Sequence, residues 1–141
     1  MAKQRKASVE KVIVAGKRKT AIAKATIKKG SGEIKINKKP YQHLSYFKKL
    51  MIEEPIEITK KTLGDFDFDI NVNVKGGGQA SQIEAARLAI TKALVKFTKS
   101  AELRKNFLAY DRNILIADTR RKEAYKPGDS KARRKRQKSY R

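Results

Sequence analysis

The sequence predicts an α+β fold in which a small four-stranded sheet carries helices on one face. Two periodicities indicate this fold class. Apolar and polar residues alternate strictly from Phe66 to Val74, which is typical of a strand with one buried face. From Ser81 to Thr98 apolar residues recur every three or four positions, which is typical of a helix that packs on one side. The length of 141 residues fits one compact domain with appendages.

Three shorter strands are predicted ahead of this one. Val12 to Ala15 and Ala21 to Ile27 form two of them, joined through Gly16-Lys17-Arg18-Lys19. A short alternating strand, Glu33 to Asn37, follows the next glycine-rich turn. The simplest assembly is a meander of these three strands, followed by the fourth.

Three helices are predicted on the covered face of the sheet. The first has Pro40 at its first position and is stopped by Glu54-Pro55, the second is Ser81 to Thr98, and the third is Ala101 to Tyr110. Their predicted buried residues are, in order, Tyr41, Leu44, Phe47 and Met51; Ile83, Ala86, Ile90, Leu94 and Phe97; and Leu103 and Phe107.

The net charge indicates the class of partner. The chain has 36 Lys and Arg against 14 Asp and Glu, a formal charge of +22. Such a charge favours a polyanionic partner, of which nucleic acid is the commonest inside cells. A merely soluble basic surface is the less favoured alternative. No amphipathic helix with a basic face and a lipid-inserting face stands out, so a membrane partner is not predicted.

The compartment is also constrained by composition. The chain has no Cys, which excludes disulfides, zinc-thiolate sites and a thiol nucleophile. The basic N-terminus leads into no apolar segment, and an aliphatic stretch such as Ile114 to Ala117 is far too short to span a bilayer. We therefore predict a cytosolic protein.

The charge is unevenly distributed along the chain. Residues 1–19 have 7 basic and 1 acidic residues, residues 20–118 have 18 and 11, and residues 119–141 have 11 and 2. These ranges carry +6, +7 and +9. We predict a body, 1–118, with a basic N-terminal arm, and an extended basic tail, 119–141, whose residues 131–141 need a polyanion to order them. A nuclear-localisation run or a solubilising tail is the alternative for the terminal basic residues.

Catalytic and metal chemistry find little support in the sequence. His43 is the only histidine, and the sequence shows no catalytic partner for it, so a surface or capping position is predicted. Asp65, Asp67 and Asp69 share one side of a strand and could hold a metal ion, but a solvent-facing or RNA-facing strand shows the same alternation. Neither a P-loop nor a G-x-G-x-x-G motif occurs, so no nucleotide cofactor is predicted.

Two short segments are candidate phosphate-binding sites. Gly76-Gly77-Gly78, preceded by Lys75, joins a strand to the start of a helix, where unpaired N–H groups favour an anion. The same glycines could simply permit a tight turn, and the sequence leaves both interpretations open. Lys17-Arg18-Lys19 places three cations at a strand junction, as a solvated turn or as a phosphate clamp.

Five motifs in order resemble a known family, the universal ninth protein of the small ribosomal subunit in its archaeal and eukaryotic form. The motifs are Gly16-Lys17-Arg18-Lys19-Thr20-Ala21, Ile34-Lys35-Ile36-Asn37, Val74-Lys75-Gly76-Gly77-Gly78 with Gln82-Ile83-Glu84-Ala85-Ala86-Arg87, Asp118-Thr119-Arg120-Arg121-Lys122-Glu123, and Gln137-Lys138-Ser139-Tyr140-Arg141. One departure is Asn37-Lys38, where the family often has Asn-Gly.

The resemblance implies a fold like the second domain of the small-subunit ribosomal protein S-five, with a left-handed strand-helix-strand crossover. It also implies a non-enzymatic protein among the proteins of the small-subunit head, without cofactor, metal or small-molecule substrate, whose tail reaches the anticodon stem-loop of the peptidyl-site tRNA. The implied ribosomal RNA contacts are Lys17, Arg18, Lys19, Lys75, Gly76, Gly77, Gly78, Arg120, Arg121, Lys122, Lys126, Lys131, Arg133, Arg134, Lys135 and Arg136. The implied tRNA-proximal residues are Lys138, Ser139, Tyr140 and Arg141.

Two other functions are compatible with the composition alone. A chromosomal DNA-compacting protein would be equally basic, and it would bind duplex DNA at many sites. An RNA-processing enzyme, or its protein subunit, would need a catalytic constellation or a catalytic RNA partner. Co-sedimentation with small ribosomal subunits rather than with nucleoid DNA distinguishes the first prediction from its main alternative.

Overall fold

The computed structural model, which describes residues 10–125 and 127, has one mixed α+β fold, as the alternating and helical patterns of the sequence predict. The elements are β1 Lys11–Arg18, β2 Ala21–Lys29, β3 Ile34–Ile36, β4 Lys39–Pro40, α1 Tyr46–Leu63, β5 Phe68–Lys75, α2 Gln79–Thr98 and α3 Ala101–Tyr110, with 3-10 turns at Tyr41–His43 and Arg112–Ile114. The predicted fold class is confirmed. The sheet has five strands rather than four, because a tight turn at Asn37-Lys38 allows Lys39–Pro40 to pair with β3.

The centre of the sheet is β2, whose alternate residues face the core. Its side chains at Ala21, Ala23, Ala25 and Ile27 are fully buried. β1 and β5 pair with β2 in antiparallel register on its two sides. The small alanine side chains leave room for a helix to lie close to this face of the sheet, and α2 occupies that position.

The strand order differs from a meander. It is β1-β2-β5-β3-β4, so β5 lies between β2 and β3, and β3 pairs with β5 in parallel. The predicted neighbour relation of the third strand is therefore wrong. β3 has only three residues, whereas the eight residues of β5 match β2 along nearly its whole length. The crossover from β3 to β5 runs through α1, and its left-handed sense stays a prediction.

Gly16 lies within β1 and not in the turn. Gly16 pairs with Ala23, and Arg18 pairs with Ala21. The β1–β2 turn therefore contains only Lys19 and Thr20. A Cβ atom at Gly16 would lie 2.4 Å from the Ala85 carbonyl oxygen of α2. The glycine is therefore required for the close packing of α2 on β1, and the predicted four-residue junction is too long.

α1 continues through Pro55, against the prediction that it stops there. A proline inside a helix costs about 3 kcal/mol, because its missing N–H leaves one carbonyl unpaired and its ring crowds the preceding turn. Here the stripe Ile52, Pro55, Ile56 and Thr59 is buried and offsets that cost. Phe47, predicted to be buried, is 79% exposed because α1 starts only at Tyr46 and turns this position outward.

The other two helices agree with their predicted faces. In α2 the side chains of Ile83, Ala86, Ile90 and Leu94 are buried. α3 begins and ends at the predicted residues, and its Leu103 and Phe107 are fully buried. Both α1 and α3 pack on the layer formed by α2, so the opposite face of the sheet is left uncovered by helices within the described residues.

Candidate nucleic-acid interface

The predicted cations of the N-terminal and central motifs meet at one end of the sheet. Lys17 of β1 is opposite Ile22 of β2, which in turn is opposite Lys75 of β5. The Lys19-Thr20 turn lies beside the loop that follows β5, where a Cβ atom at Gly76 would lie 2.6 Å from the Thr20 carbonyl oxygen. We call this region, residues 17–22 together with 75–78, the hairpin end. It brings together segments that are far apart in sequence.

The three glycines of the hairpin end have different roles. Gly76 and Gly77 have φ angles of 74° and 68°, in the left-handed region that favours glycine. Gly77 also lies tightly against Ala21, because a Cβ atom at Gly77 would lie 3.0 Å from the Ala21 Cβ. Gly78 has an ordinary φ of −93°, and a Cβ atom there would have no neighbour within 4 Å. The tight-turn interpretation therefore holds for the first two glycines, and Gly78 is open to a ligand.

The N-terminus of α2 is uncapped and exposed next to Gly78. Among the described residues no side chain accepts a hydrogen bond from its first N–H groups, and its first turn contains no acidic residue. The positive end of the helix dipole is thus unopposed by local carboxylates. Lys48 of α1 donates to the Gln79 side chain at 2.6 Å and brings a further cation to this point. No local sequence signal identifies Lys48, since only the fold brings α1 to the start of α2.

Arg18 connects the hairpin end to the start of the tail. Its guanidinium donates to Glu84 of α2 and to Asp118, and only 19% of its side chain is exposed. The hydrogen bond to Glu84 is the largest cause of a raised pKa for Arg18. Arg120 also donates to Asp118, at 2.6 Å from Nη2. The first residues of the predicted tail are therefore tied to the body through two arginines and one carboxylate.

The contacts of Asp118 with Arg18 and Arg120 are ion pairs, because the Asp118 carboxyl group is ionised. Hydrogen bonds from the Arg120 side chain and backbone, followed by the charges of Arg120 and Arg18, hold the pKa of Asp118 well below its ordinary value. The carboxylate is therefore ionised at every physiological pH. Arg121 donates to the Asp118 and Arg120 carbonyl oxygens, and the Lys122 ammonium lies 4.8 Å from the centre of the Tyr125 ring. All three basic residues from 120 to 122 are exposed.

The remaining predicted contacts lie outside the described residues. They are Lys126, Lys131, Arg133, Arg134, Lys135, Arg136, Lys138, Ser139, Tyr140 and Arg141.

A cleft of about 230 Å³ lies next to the Arg18 cluster. Its lining combines basic and acidic side chains, and Arg87 bridges Glu54 of α1 and Asp111 after α3 at its inner side. The Arg87 Nε has no hydrogen-bond partner in the part of the chain that the structure describes. Because acidic side chains lie among the cations, the described lining of the cleft is not uniformly positive. It therefore does not have the character of an anion-binding site.

The acidic strand residues have a structural role at Asp69. Asp69 accepts hydrogen bonds from the backbone N–H groups of Ser31, at 2.9 Å, and Glu33, at 3.2 Å, and pairs with Lys28 at 3.3 Å. These contacts, with the Glu33 N–H the largest, lower the pKa of Asp69. Asp69 thus anchors the turn between β2 and β3. Residues 10–125 and 127 contain no cluster of three or more His, Asp or Glu side chains suited to a metal ion.

His43 is exposed at the end of the first 3-10 turn. Among the residues described, no helix has the length and apolarity needed to cross a membrane.

Comparison with known proteins identifies the family. The model of the family described as ribosomal protein S9/S16 matches residues 16–141. The small ribosomal subunit protein uS9 of Methanococcus maripaludis strain C5 is 50% identical over 129 residues, which cover 89% of this chain and 95% of that protein. The uS9 protein of Methanococcus vannielii is 49% identical with the same coverage. The chain therefore belongs to the ribosomal protein S9/S16 family, and it is a structural, non-enzymatic protein of the cytoplasmic ribosome.

Proposed function

We propose that this protein is a structural constituent of the small ribosomal subunit, where its body binds ribosomal RNA in the head and its tail extends to the anticodon stem-loop of the peptidyl-site tRNA. Family membership and the names of its relatives support the placement in the small subunit. The neighbouring proteins of the head are its protein partners. The body is residues 1–118 and the tail is residues 119–141.

The observation that carries this proposal is the fixed origin of a highly basic tail. Residues 119–141 contain 11 basic and 2 acidic residues. Their first residues are held by the Arg18–Asp118–Arg120 contacts described above. An arm that leaves the body at a fixed point loses less freedom on binding than one attached through a loose linker. The first residue of the tail follows Asp118, which contacts Arg18 of the hairpin end. RNA bound at the hairpin end would therefore lie close to the start of the tail.

The hairpin end supplies the proposed contacts to ribosomal RNA. Lys17, Lys19 and Lys75 are exposed there, and none of them has a carboxylate partner among the described residues. The open position at Gly78 and the uncapped start of α2 suit one phosphate group. Arg18 contributes mainly by fixing the tail, because its guanidinium is already shared between two carboxylates.

The terminal residues supply the proposed contacts to tRNA. Extended at about 3.3 Å per residue, the 23-residue tail reaches on the order of 75 Å, so its end can lie far from the body. Lys138 and Arg141 provide charges for phosphates, and Tyr140 provides a ring that stacks on a base or ribose.

Deletion of residues 138–141 tests the tail assignment. We expect small subunits to assemble normally and to bind peptidyl-site tRNA about tenfold more weakly, because charge-assisted contacts are lost. The loss should be larger at low salt, since phosphate contacts release counterions. Replacement of Arg133 and Arg134 by Gln removes an equal number of side-chain charges, two, at other positions and without shortening the tail, and it should weaken tRNA binding less. Unchanged tRNA affinity in the truncated subunit would rule out the assignment.

A further inference from the structure

The face of the sheet opposite α2 presents a second basic surface that includes residues outside the predicted sites. Strand register places its outward side chains in four rows. We call this surface the open face, and its residues are Lys11, Ile13, Ala15 and Lys17 of β1; Ile22, Lys24, Thr26 and Lys28 of β2; Asp69, Asn71, Asn73 and Lys75 of β5; and Lys35 of β3.

The open face is strongly and almost uniformly positive. Six of its thirteen side chains are lysines and one is an acid. That acid, Asp69, is already paired with Lys28, and Lys35 is paired with Glu33 at 2.8 Å. The other four lysines have no carboxylate partner among the described residues. By contrast, the 48 residues of α1, α2 and α3 contain nine basic and five acidic residues, a net charge of +4, against +5 on the thirteen residues of the open face. The excess charge is therefore concentrated on one side of the body.

The arrangement of these lysines is unfavourable for the isolated protein. Lys11 and Lys28 are directly opposite each other on adjacent strands, where like charges repel, and the Lys28–Asp69 pair offsets this repulsion only in part. The repulsion is relieved when a polyanion binds across the strands. With strands about 4.8 Å apart and residues about 3.3 Å apart along a strand, the surface measures roughly 14 by 20 Å. That area is large enough to contact the backbone of a nucleic-acid helix.

The uncharged residues of the open face indicate which type of nucleic acid fits this surface. None of the thirteen positions is aromatic, so the surface has no platform on which the bases of a single strand could stack. Asn71 and Asn73 are exposed side by side on β5, and their amide groups have no hydrogen-bond partner among residues 10–125 and 127. An amide both donates and accepts, as does a ribose 2′-hydroxyl. Duplex RNA is recognised mainly through its phosphates and 2′-hydroxyls.

We propose that the open face binds double-stranded RNA, with its lysines on phosphates and with Asn71 and Asn73 on ribose 2′-hydroxyl groups. Ile13 and Ile22, exposed by 58% and 43%, provide apolar contact to the sugars between the charged rows. The inference rests on the proposed function, since the RNA would be ribosomal RNA. It adds a binding surface, continuous with the hairpin end through Lys17 and Lys75, that extends along the whole sheet.

The test compares two triple variants of the full chain with equal loss of charge. The open-face variant is Lys11→Gln, Lys24→Gln and Lys28→Gln, and the matched control is Lys60→Gln, Lys61→Gln and Lys105→Gln on the exposed sides of α1 and α3. Binding to a blunt RNA duplex, to a DNA duplex of the same sequence and to the single RNA strand is measured over a several-fold range of KCl concentration. Thermal melting confirms that both variants are folded.

For the RNA duplex, we compare the slope of log K against log KCl concentration. In the open-face variant this slope should be smaller in magnitude than in the wild type by about 2 to 3, because each lost phosphate contact reduces it by about 1. The control should change this slope by less than about one. The reduction should be greater on the RNA duplex than on the single strand. A further variant, Asn71→Ala with Asn73→Ala, should reduce the preference for the RNA duplex over the DNA duplex.

The failures of the two proposals are distinguishable. If the wild type itself binds no RNA, the proposed function fails. If the wild type binds and the two triple variants have equal slopes, the open-face inference is overturned while the proposed function stands. An open-face variant that keeps wild-type RNA binding but fails to join the small subunit would also overturn it, because the surface would then serve a protein partner.

Discussion

The two faces of β2 differ in almost every property although they come from the same nine residues. Ala21, Ala23, Ala25 and Ile27 face α2 and are fully buried, whereas Ile22, Lys24 and Lys28 face outward and are exposed. The covered face holds the fold together through close packing of small and branched side chains. The open face contributes little packing and carries the charge. If the proposed RNA binding holds, stability and nucleic-acid binding depend on alternate residues of one strand.

The largest expected difference is between two isoleucines of β2. Ile27→Ala removes a fully buried side chain and should lower the free energy of unfolding by about 2–5 kcal/mol. Ile22→Ala removes a side chain that is 43% exposed on the other face, and it should cost less than about 1 kcal/mol. Urea unfolding of the two variants measures both values. Equal destabilisation would show that the open face also carries packing.

Asp69 is the one open-face side chain for which we expect a clear structural effect. Its pKa lies below the ordinary value of 3.8, chiefly because the Glu33 and Ser31 N–H groups and Lys28 favour the carboxylate. A group with a lowered folded-state pKa stabilises the protein above its unfolded pKa, and this stabilisation is lost as pH falls through the folded pKa. Asp69→Asn should therefore destabilise the protein at neutral pH, by less than Ile27→Ala does.

Unfolding at neutral, mildly acidic and strongly acidic pH checks the sign of this effect. The difference between wild type and Asp69→Asn should persist from about pH 7 to about pH 5 and shrink below the ordinary pKa of 3.8. Asp67→Asn is the control, because it removes the same charge from an exposed neighbour without a side-chain partner among the described residues. A control variant as unstable as Asp69→Asn would assign the effect to net charge alone.

The smallest expected effect is at the turn between β3 and β4. Asn37 and Lys38 have φ angles of 49° and 69°, and a left-handed conformation costs a residue with a side chain about 1–2 kcal/mol. Lys38→Gly relieves that strain but frees the unfolded chain, so we expect a net stabilisation of about 0.5 kcal/mol. Lys39→Gly, in β4, should destabilise by about 0.5–1 kcal/mol. The melting temperatures should move in opposite directions, and a fall in both would contradict the strain argument.

Local patterns predicted what local interactions decide. The alternation in β5, the buried face of α2 and both ends of α3 were predictable, because each depends on residues close together in sequence. The strand order was not, since a three-residue β3 carries too little pattern to choose between β2 and β5. The course of α1 through Pro55 was not predictable either, because the burial that offsets the proline comes from other helices.

The candidate site shows the same limit. Exposed lysines at the hairpin end and the special conformation of Gly76 and Gly77 follow from sequence motifs. The partners of Arg18 lie 66 and 100 residues away, so no local signal could show that its charge is shared with Glu84 and Asp118. The open face could be recognised only once strand register had placed lysines from four strands on one surface.

The most direct test of the division between the two faces is cross-linking of lysines to RNA in intact small subunits, with the modified residues identified by mass spectrometry. We expect RNA adducts at Lys11, Lys24 and Lys28 of the open face, and few at Lys60, Lys61 and Lys105 on the helical side. Adducts confined to the helical side, with none on the open face, would contradict the central claim that the fold reserves its uncovered sheet surface for RNA.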